Sequence, residues 1–345
     1  MSERSDAILR FLDGAGWGDA VRKPLAGDAS FRRYERLIRR KSTRPEDAVP
    51  PTVLLMDAPP PEDVRPFLKI DHILQAIGLA APKVFAADEA HGFVLLEDFG
   101  DDTFTRVLAR TPERERALYE LATDVLIALG RRFAPGDRAL PRFDDTRAIA
   151  EAERLLDWLW PAAFGQNCGE RARAEFADAW RAVLPLWRAV PETLILGDFH
   201  VDNLMVRPGV QGLAACGLLD FQDGVTGPLG FDLMSLLQDV RRDVADGLAH
   251  AMIARFLGAF PEIDRRRFAV SYAVGGAQRN VRILGTFARL WRRDRKPGFL
   301  RWLPRTWAMV ERNLALPELG PVRDWFDRHF PVDARRRRLA QAQEG

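Results

Sequence analysis

The chain has 345 residues, of which 47% are hydrophobic and 29% charged, and its formal net charge is +2. That length accommodates two lobes with separate cores, and those proportions are the ones of a soluble globular protein. The near-neutral charge argues against a nucleic-acid partner, and no window of about 18 uncharged apolar residues offers a membrane span. Two cysteines, Cys168 and Cys216, stand in unrelated contexts without metal-ligand spacing, which fits a reducing cytoplasm and not a disulfide framework.

Residues 1–17 read as a short amphipathic helix with Glu3, Arg4, Asp6, Arg10 and Asp13 among the apolar positions, and they lack the apolar core of a signal peptide. Residues 18–98 read as strand-rich with one helix. Candidate strands 21–26 and 31–38 flank a hairpin-like turn, Gly27-Asp28-Ala29-Ser30. A polar, proline-containing loop covers 39–51, and 52–57 is a third strand. After Pro59-Pro60-Pro61, the acidic pair Glu62-Asp63 opens a helix through about Gly78, with Val64, Phe67, Leu68, Ile73, Leu74 and Ile77 at largely helical spacing. Residues 82–87 and 92–97 give two more strands. Five strands, with one helix between the third and fourth, is the order of a kinase N-lobe. From Asp101 onward helical periodicity dominates, with helices expected over 112–131, 148–160 and 169–189 and again after Asp243. The run 335–338, four arginines, reads as a solvated helix end.

Between these helices lies the stretch Thr193-Leu194-Ile195-Leu196-Gly197-Asp198-Phe199-His200-Val201-Asp202-Asn203-Leu204-Met205. It reads as a short buried strand stopped by Gly197, then an acidic residue, then an amide five positions on. A second apolar run, 216–219, ends on Asp220. This spacing suits phosphoryl transfer, which needs one carboxylate for the acceptor hydroxyl and an amide oxygen plus a second carboxylate for Mg²⁺. Those groups are Asp198 as catalytic base, and Asn203 and Asp220 as metal ligands.

Leu196-Gly197-Asp198-Phe199-His200-Val201-Asp202-Asn203, with Leu218-Leu219-Asp220-Phe221-Gln222-Asp223 after it, resembles the aminoglycoside phosphotransferase family, whose pattern is H-G-D-x-H-x-x-N followed by an apolar-apolar-D-F-x-D segment. The resemblance implies an α+β, protein-kinase-like bilobal fold. Its small antiparallel-sheet N-lobe would span residues 1–98 and its larger helical C-lobe 99–345. It further implies a monomeric, cytoplasmic, ATP- and Mg²⁺-dependent enzyme acting on a small molecule. Gly27, Ala29 and Ser30 occupy the place of the loop over the nucleotide phosphates, and Glu97 lies in the hinge-like segment Leu95-Leu96-Glu97-Asp98-Phe99-Gly100. Two departures stand out. Leu196 replaces the usual His, and the strand 52–57 lacks the lysine that pairs with the α- and β-phosphates, so Arg32 or Arg33 is expected to supply that charge. Asp232, in Gly230-Phe231-Asp232-Leu233, is expected to cap the helix through Leu237.

Four segments, 27–34, 56–60, 151–158 and 278–290, resemble the N-acetylmuramate/N-acetylglucosamine anomeric kinases of bacterial cell-wall recycling, and the similarity runs from about Gly27 to Pro304. It implies an amino-sugar acceptor phosphorylated at the C1 hydroxyl, with Glu153, Trp158, His200 and Arg279 on the acceptor side. Charge agrees with that reading. Thirteen Arg or Lys residues lie between Arg265 and Asn313, against Asp294 and Glu311, and such a region favours an anionic acceptor over a polycationic one. The alternatives are another small-molecule kinase of the aminoglycoside and choline phosphotransferase family, or a nucleotide-binding pseudokinase.

Overall fold

The computed structural model describes residues 3–25, 31–39, 51–137 and 140–336. Helix α1 (Glu3–Gly14) precedes strands β1 (Val21–Pro24), β2 (Arg33–Ile38) and β3 (Thr52–Asp57). Helix α2 (Arg65–Ala76), strands β4 (Val84–Asp88) and β5 (Phe93–Glu97), and helices α3 (Phe104–Arg110) and α4 (Glu115–Arg132) follow. Next come α5 (Asp145–Ala152), a π-helical turn (Leu155–Leu159), α6 (Trp160–Phe164) and α7 (Glu170–Trp187). Four short strands, β6 (Glu192–Ile195), β7 (Leu204–Val206), β8 (Cys216–Leu218) and β9 (Val225–Pro228), carry the motif region. Helices α8 (Phe231–Leu237), α9 (Asp246–Ala259), α10 (Arg265–Arg292), α11 (Leu303–Leu314), α12 (Gly320–His329) and α13 (Val332–Arg336) complete the order. Contacts divide the chain into two compact units, residues 1–125 with 201–224, and residues 126–200 with 225–345.

In the first unit, β1 to β5 form one antiparallel sheet in the order β1-β2-β3-β5-β4. The register follows from alternation. Leu37, Val53, Leu55, Phe93 and Leu95 are fully buried and pack with Ile8 and Leu12 of α1 and with Trp17. Each such side chain contributes about 1.5–3 kcal/mol when removed from water, so α1 covers one face of the sheet. On β2 the alternate residues Tyr34 and Arg36 point the other way. Arg36 reaches Asp98 and Asp101 at 2.7 and 3.1 Å, tying β2 to the chain beyond β5. Helix α2 buries Phe67 and Ile70 against the segment after β8, with Phe67 stacked on Phe221 at 5.0 Å between ring centroids. All five strands and the intervening helix stand in the expected order.

The expected lobe boundary after residue 98 differs from this division. Helix α3, the first part of α4 and the β7–β8 hairpin belong with the sheet. Val206 N donates to Asp102 O and Leu218 N to Ala80 O, each at 2.8 Å. The Phe99 ring lies against Gly217 so closely that a β-carbon there would come within 2.6 Å of it. These pairings join residues far apart in sequence, which local periodicity does not report.

In the second unit, β6 pairs antiparallel with β9, and α10, 28 residues long, forms the central post. Its Val274, Ala277, Val281, Leu284 and Ala288 are buried in one core with Trp187 of α7 and Trp307 and Val310 of α11. Gly285 lets α10 approach the chain after α5, because a β-carbon there would stand 2.2 Å from the Arg154 carbonyl carbon. Three buried amides meet inside this core, with Gln238 bonded to both of the others. Gln238 Nε2 donates to Asn313 Oδ1 at 3.1 Å, while Gln238 Oε1 accepts from Asn280 Nδ2 at 2.8 Å and Asn313 Nδ2 at 2.9 Å. The helix expected over 148–160 is interrupted. Pro161 has no N–H for the Asp157 carbonyl, and the chain widens into the π turn before α6. Among the described residues, no helix is long and apolar enough to cross a membrane.

Candidate active site

The base candidate belongs to the second unit. Strand β6 ends at Ile195, and Gly197 adopts a left-handed conformation (φ +89°) that turns the chain toward Asp198. That turn is fastened by Asp232, whose two carboxylate oxygens accept from Leu196 N at 2.7 Å and Gly197 N at 2.9 Å. Asp232 therefore does not cap α8 as expected. Gly230 holds the N-cap position, and the Asp232 carboxylate points instead at the strand end. Burial raises the Asp232 carboxyl to about 7, with the two backbone donors and Arg279 pulling against it.

Half of the Asp198 side chain remains reachable by solvent, although dense protein surrounds it. Burial pushes its carboxyl upward, yet the guanidinium groups of Arg282 and Arg279, with His200 and Arg241 behind them, carry it below the ordinary carboxylate range. Arg282 Nη2 lies 3.7 Å from Asp198 Oδ1, while its Nη1 holds Glu151 at 3.2 Å. Asp198 is thus ionised at neutral pH. His200 is buried beside it, and burial first and Arg241 second lower its imidazole below the usual range. Its Nε2 lies 3.2 Å from Arg241 Nη1 and accepts from that group.

The metal candidates belong to the first unit, on the β7–β8 hairpin. Asn203 Nδ2 and Asp220 Oδ2 are 3.4 Å apart, and Leu219 N donates to Asn203 O at 3.0 Å. Asp220 has φ +59°, a left-handed conformation rare for a residue with a side chain, and Gln222 Nε2 supports its Oδ1 at 2.9 Å. Mg²⁺ takes one or two protein oxygens and completes its octahedron with phosphate and water. One amide oxygen and one carboxylate fit that demand once the Asn203 amide turns its oxygen toward Asp220. Among the described residues, no cluster of three His, Cys, Asp or Glu offers a closed metal cage.

For the nucleotide side, Gly27, Ala29 and Ser30 lie outside the described residues. The third strand carries no cation: Met56 is fully buried, and Asp57 is held by Arg4 of α1. Arg32 is recessed, with its Nε 3.0 Å from Glu62 Oε2, whereas Arg33 is exposed opposite Asp57. The phenol of Tyr34 is raised by burial first, and it also senses Arg32, Asp220 and Glu62. Arg32 therefore shares a neighbourhood with Asp220, on the side of β2 that Tyr34 marks. Glu97 accepts from Arg207 Nη2 at 2.6 Å and from Lys83 N at 3.2 Å, so its side chain already has partners.

On the acceptor side the expected residues separate. Glu153 ends α5, 3.6 Å from Arg173, and Trp158 is partly buried against the core of the second unit. Only His200 and Arg279 lie with Asp198, and both are buried. Asp232, Arg282 and Glu151 are the site residues that sequence reading missed or misassigned. The pattern Gly230-Phe231-Asp232 was the one signal available for the first.

These features agree with comparisons to known proteins. A model of the phosphotransferase enzyme family matches residues 21–270. This chain belongs to that family. The phosphotransferase is 35% identical to the N-acetylmuramate/N-acetylglucosamine kinase of Caulobacter vibrioides, over 97% of this chain and 99% of that one. It is 31% identical to the protein of the same name from Pseudomonas aeruginosa, over 89% and 90% of the two chains. Among solved structures, a putative aminoglycoside phosphotransferase from Ralstonia eutropha has the phosphotransferase fold with a TM-score of 0.61 at 15% identity, covering 93% of this chain and 98% of that one. A choline/ethanolamine kinase family protein from Mesorhizobium loti gives 0.59 at 13% identity, covering 93% and 99%. The fold is the kinase-like α+β fold, and the phosphotransferase is an ATP-dependent enzyme.

Proposed function

We propose that this chain phosphorylates the C1 hydroxyl of N-acetylmuramate, N-acetylglucosamine or both, using ATP and Mg²⁺, as a monomeric cytoplasmic kinase. The observation that carries the reading is Asp198, a carboxylate pinned through Asp232 at a strand end and kept ionised by Arg282 and Arg279. The substrate class is supported by relatives of that name that align along nearly the whole chain.

Asp198 accepts a hydrogen bond from the acceptor hydroxyl, aligns its oxygen for in-line attack and takes its proton as the bond to the γ-phosphorus forms and the bond from that phosphorus to the bridging oxygen breaks, releasing ADP. Asn203 and Asp220 would hold Mg²⁺ through their side-chain oxygens, and the ion would supply positive charge against the phosphates. Arg32, oriented by Glu62, supplies the positive charge that a strand lysine gives elsewhere in kinases. His200, neutral and hydrogen-bonded to Arg241, holds the loop that follows the base.

ATP consumption measured with N-acetylmuramate, N-acetylglucosamine, kanamycin and choline tests the reading, with turnover expected on one or both amino sugars. Asp198→Asn is expected to lower turnover by about 10²–10⁴ while ATP still binds. Turnover of kanamycin or choline alone would leave the family and remove this substrate. A variant keeping more than half its activity would remove Asp198 from the mechanism.

A further inference from the structure

Arg279 stands on α10 with 2% of its surface exposed, and neither its Nε nor its Nη1 has a hydrogen-bond partner. The charged and titratable groups facing it are Asp198, Arg282, Asp239 and Arg241, with Asp232 and His200 also in its field. Asp232 is taken up by Leu196 N and Gly197 N, and of the other two carboxylates only Asp239 keeps a buried oxygen, Oδ2, without a hydrogen-bond partner, yet Arg279 Nε and Nη1 do not bond to it. Asp198 faces Arg282, and Asp239 Oδ1 accepts from Arg241 N at 2.8 Å. Arg282, one helical turn along the same face, is committed to Glu151 at 3.2 Å. A guanidinium taken out of water without acceptors is costly. Its flat fork of N–H groups matches the paired oxygens of a carboxylate or a phosphoryl group.

We propose that Arg279 is the oxyanion-binding residue on the acceptor side, its two unpartnered nitrogens, Nε and Nη1, donating to oxygens of a carboxylate or phosphoryl group on the reactant held at Asp198. This rests on the kinase reading above and adds a feature that reading does not require. The two sources differ in consequence. A carboxylate is present on N-acetylmuramate and absent from N-acetylglucosamine, whereas the transferred phosphoryl group is common to both reactions.

Arg279→Gln and Arg279→Lys are measured for ligand-free Tm and for kcat/KM on both sugars. The expected result is a Tm that holds or rises, because a buried fork whose N–H groups lack acceptors has been removed, with kcat/KM reduced roughly 10- to 150-fold. Loss confined to N-acetylmuramate identifies the carboxylate, and loss on both sugars identifies the phosphoryl group. The lysine variant keeps the charge and most of the volume but not the fork, so it is expected to show the same pattern if glutamine fails to fold. Unchanged kcat/KM on both sugars overturns the proposal. So does a fall in the lysine variant's Tm, because the fold's own groups, Asp239 first, would then hold the guanidinium. A wild-type enzyme inactive on both sugars would instead defeat the substrate reading, and the Tm comparison would still decide about Arg279.

Discussion

Asp232→Ala isolates the fastening of the catalytic turn. The substitution leaves Leu196 N and Gly197 N, at 2.7 and 2.9 Å from the lost oxygens, buried without an acceptor. Hydrogen bonds to a charged group contribute about 1.5–3 kcal/mol each, and an orphaned buried donor costs about 1–3 kcal/mol. The carboxylate is itself destabilised by burial, as its rise to about 7 records, and its removal returns part of that cost. A net loss of about 2–4 kcal/mol remains. Asp232→Asn recovers at most one of the two bonds, because its amide nitrogen faces the second donor. Gly197 immediately precedes Asp198, so loosening it misplaces the base, and a displacement near 1 Å costs about 10²-fold in rate. Urea unfolding and ADP release with N-acetylglucosamine are read on the same samples. An alanine variant with an unchanged urea midpoint and kcat within twofold of wild type would refute the fastening role.

Three further outcomes are expected. Asp220→Ala removes Mg²⁺-dependent nucleotide binding along with turnover, and calorimetry finding unaltered Mg·ATP affinity would contradict the metal assignment. Asp71, 3% exposed on α2, is raised by burial to about 7 from 3.8, so the folded state keeps a proton that the unfolded chain releases. Stability is then lost as pH rises from about 4 to 7, by up to about 4 kcal/mol, and Asp71→Asn is expected to raise Tm at pH 8 but not at pH 4; parallel Tm profiles for the two proteins would rule this out. Gly285→Ala drives a β-carbon into the Arg154 backbone, and a shift of the urea midpoint equivalent to about 3 kcal/mol is expected; a midpoint equal to wild type would mean that α10 yields there.

The N-terminal sheet was legible because its strands are short apolar runs bounded by turn residues, and β3, Thr52–Asp57, falls on the expected positions. Asp198, Asn203 and Asp220 were singled out by their spacing along the chain, and the structure places Asn203 beside Asp220. What was hidden depends on partners distant in sequence. The carboxylate of Asp232 serves donors 35 and 36 residues earlier. The hairpin 201–224 joins the sheet unit through Ala80 and Asp102, which no local pattern announces. Within the basic stretch 265–313, Arg279 was singled out by the resemblance of its segment and not by charge, which is alike along the stretch. Arg266, Arg293, Arg305 and Arg312 pair with surface acids, and only burial separates Arg279 from them. The choice between Arg32 and Arg33 also needed the sheet, since successive residues on a strand face opposite sides.

The amide cluster in which Gln238 joins Asn280 to Asn313 has a consequence for how the chain finds its fold. Two helices lined with Val, Leu, Ala and Trp, as α10 and α11 are, pack almost equally well when one slides a turn along the other, because apolar contact has no direction. The amides remove that freedom. A slip of one turn, about 5.4 Å, would separate all three and strand their donors and acceptors in a dry core. The cluster, joined through Gln238, therefore acts as a key for helix register, selecting one alignment during collapse. Replacing all three by apolar residues of similar size is expected to leave a stable protein whose α10–α11 alignment is no longer unique.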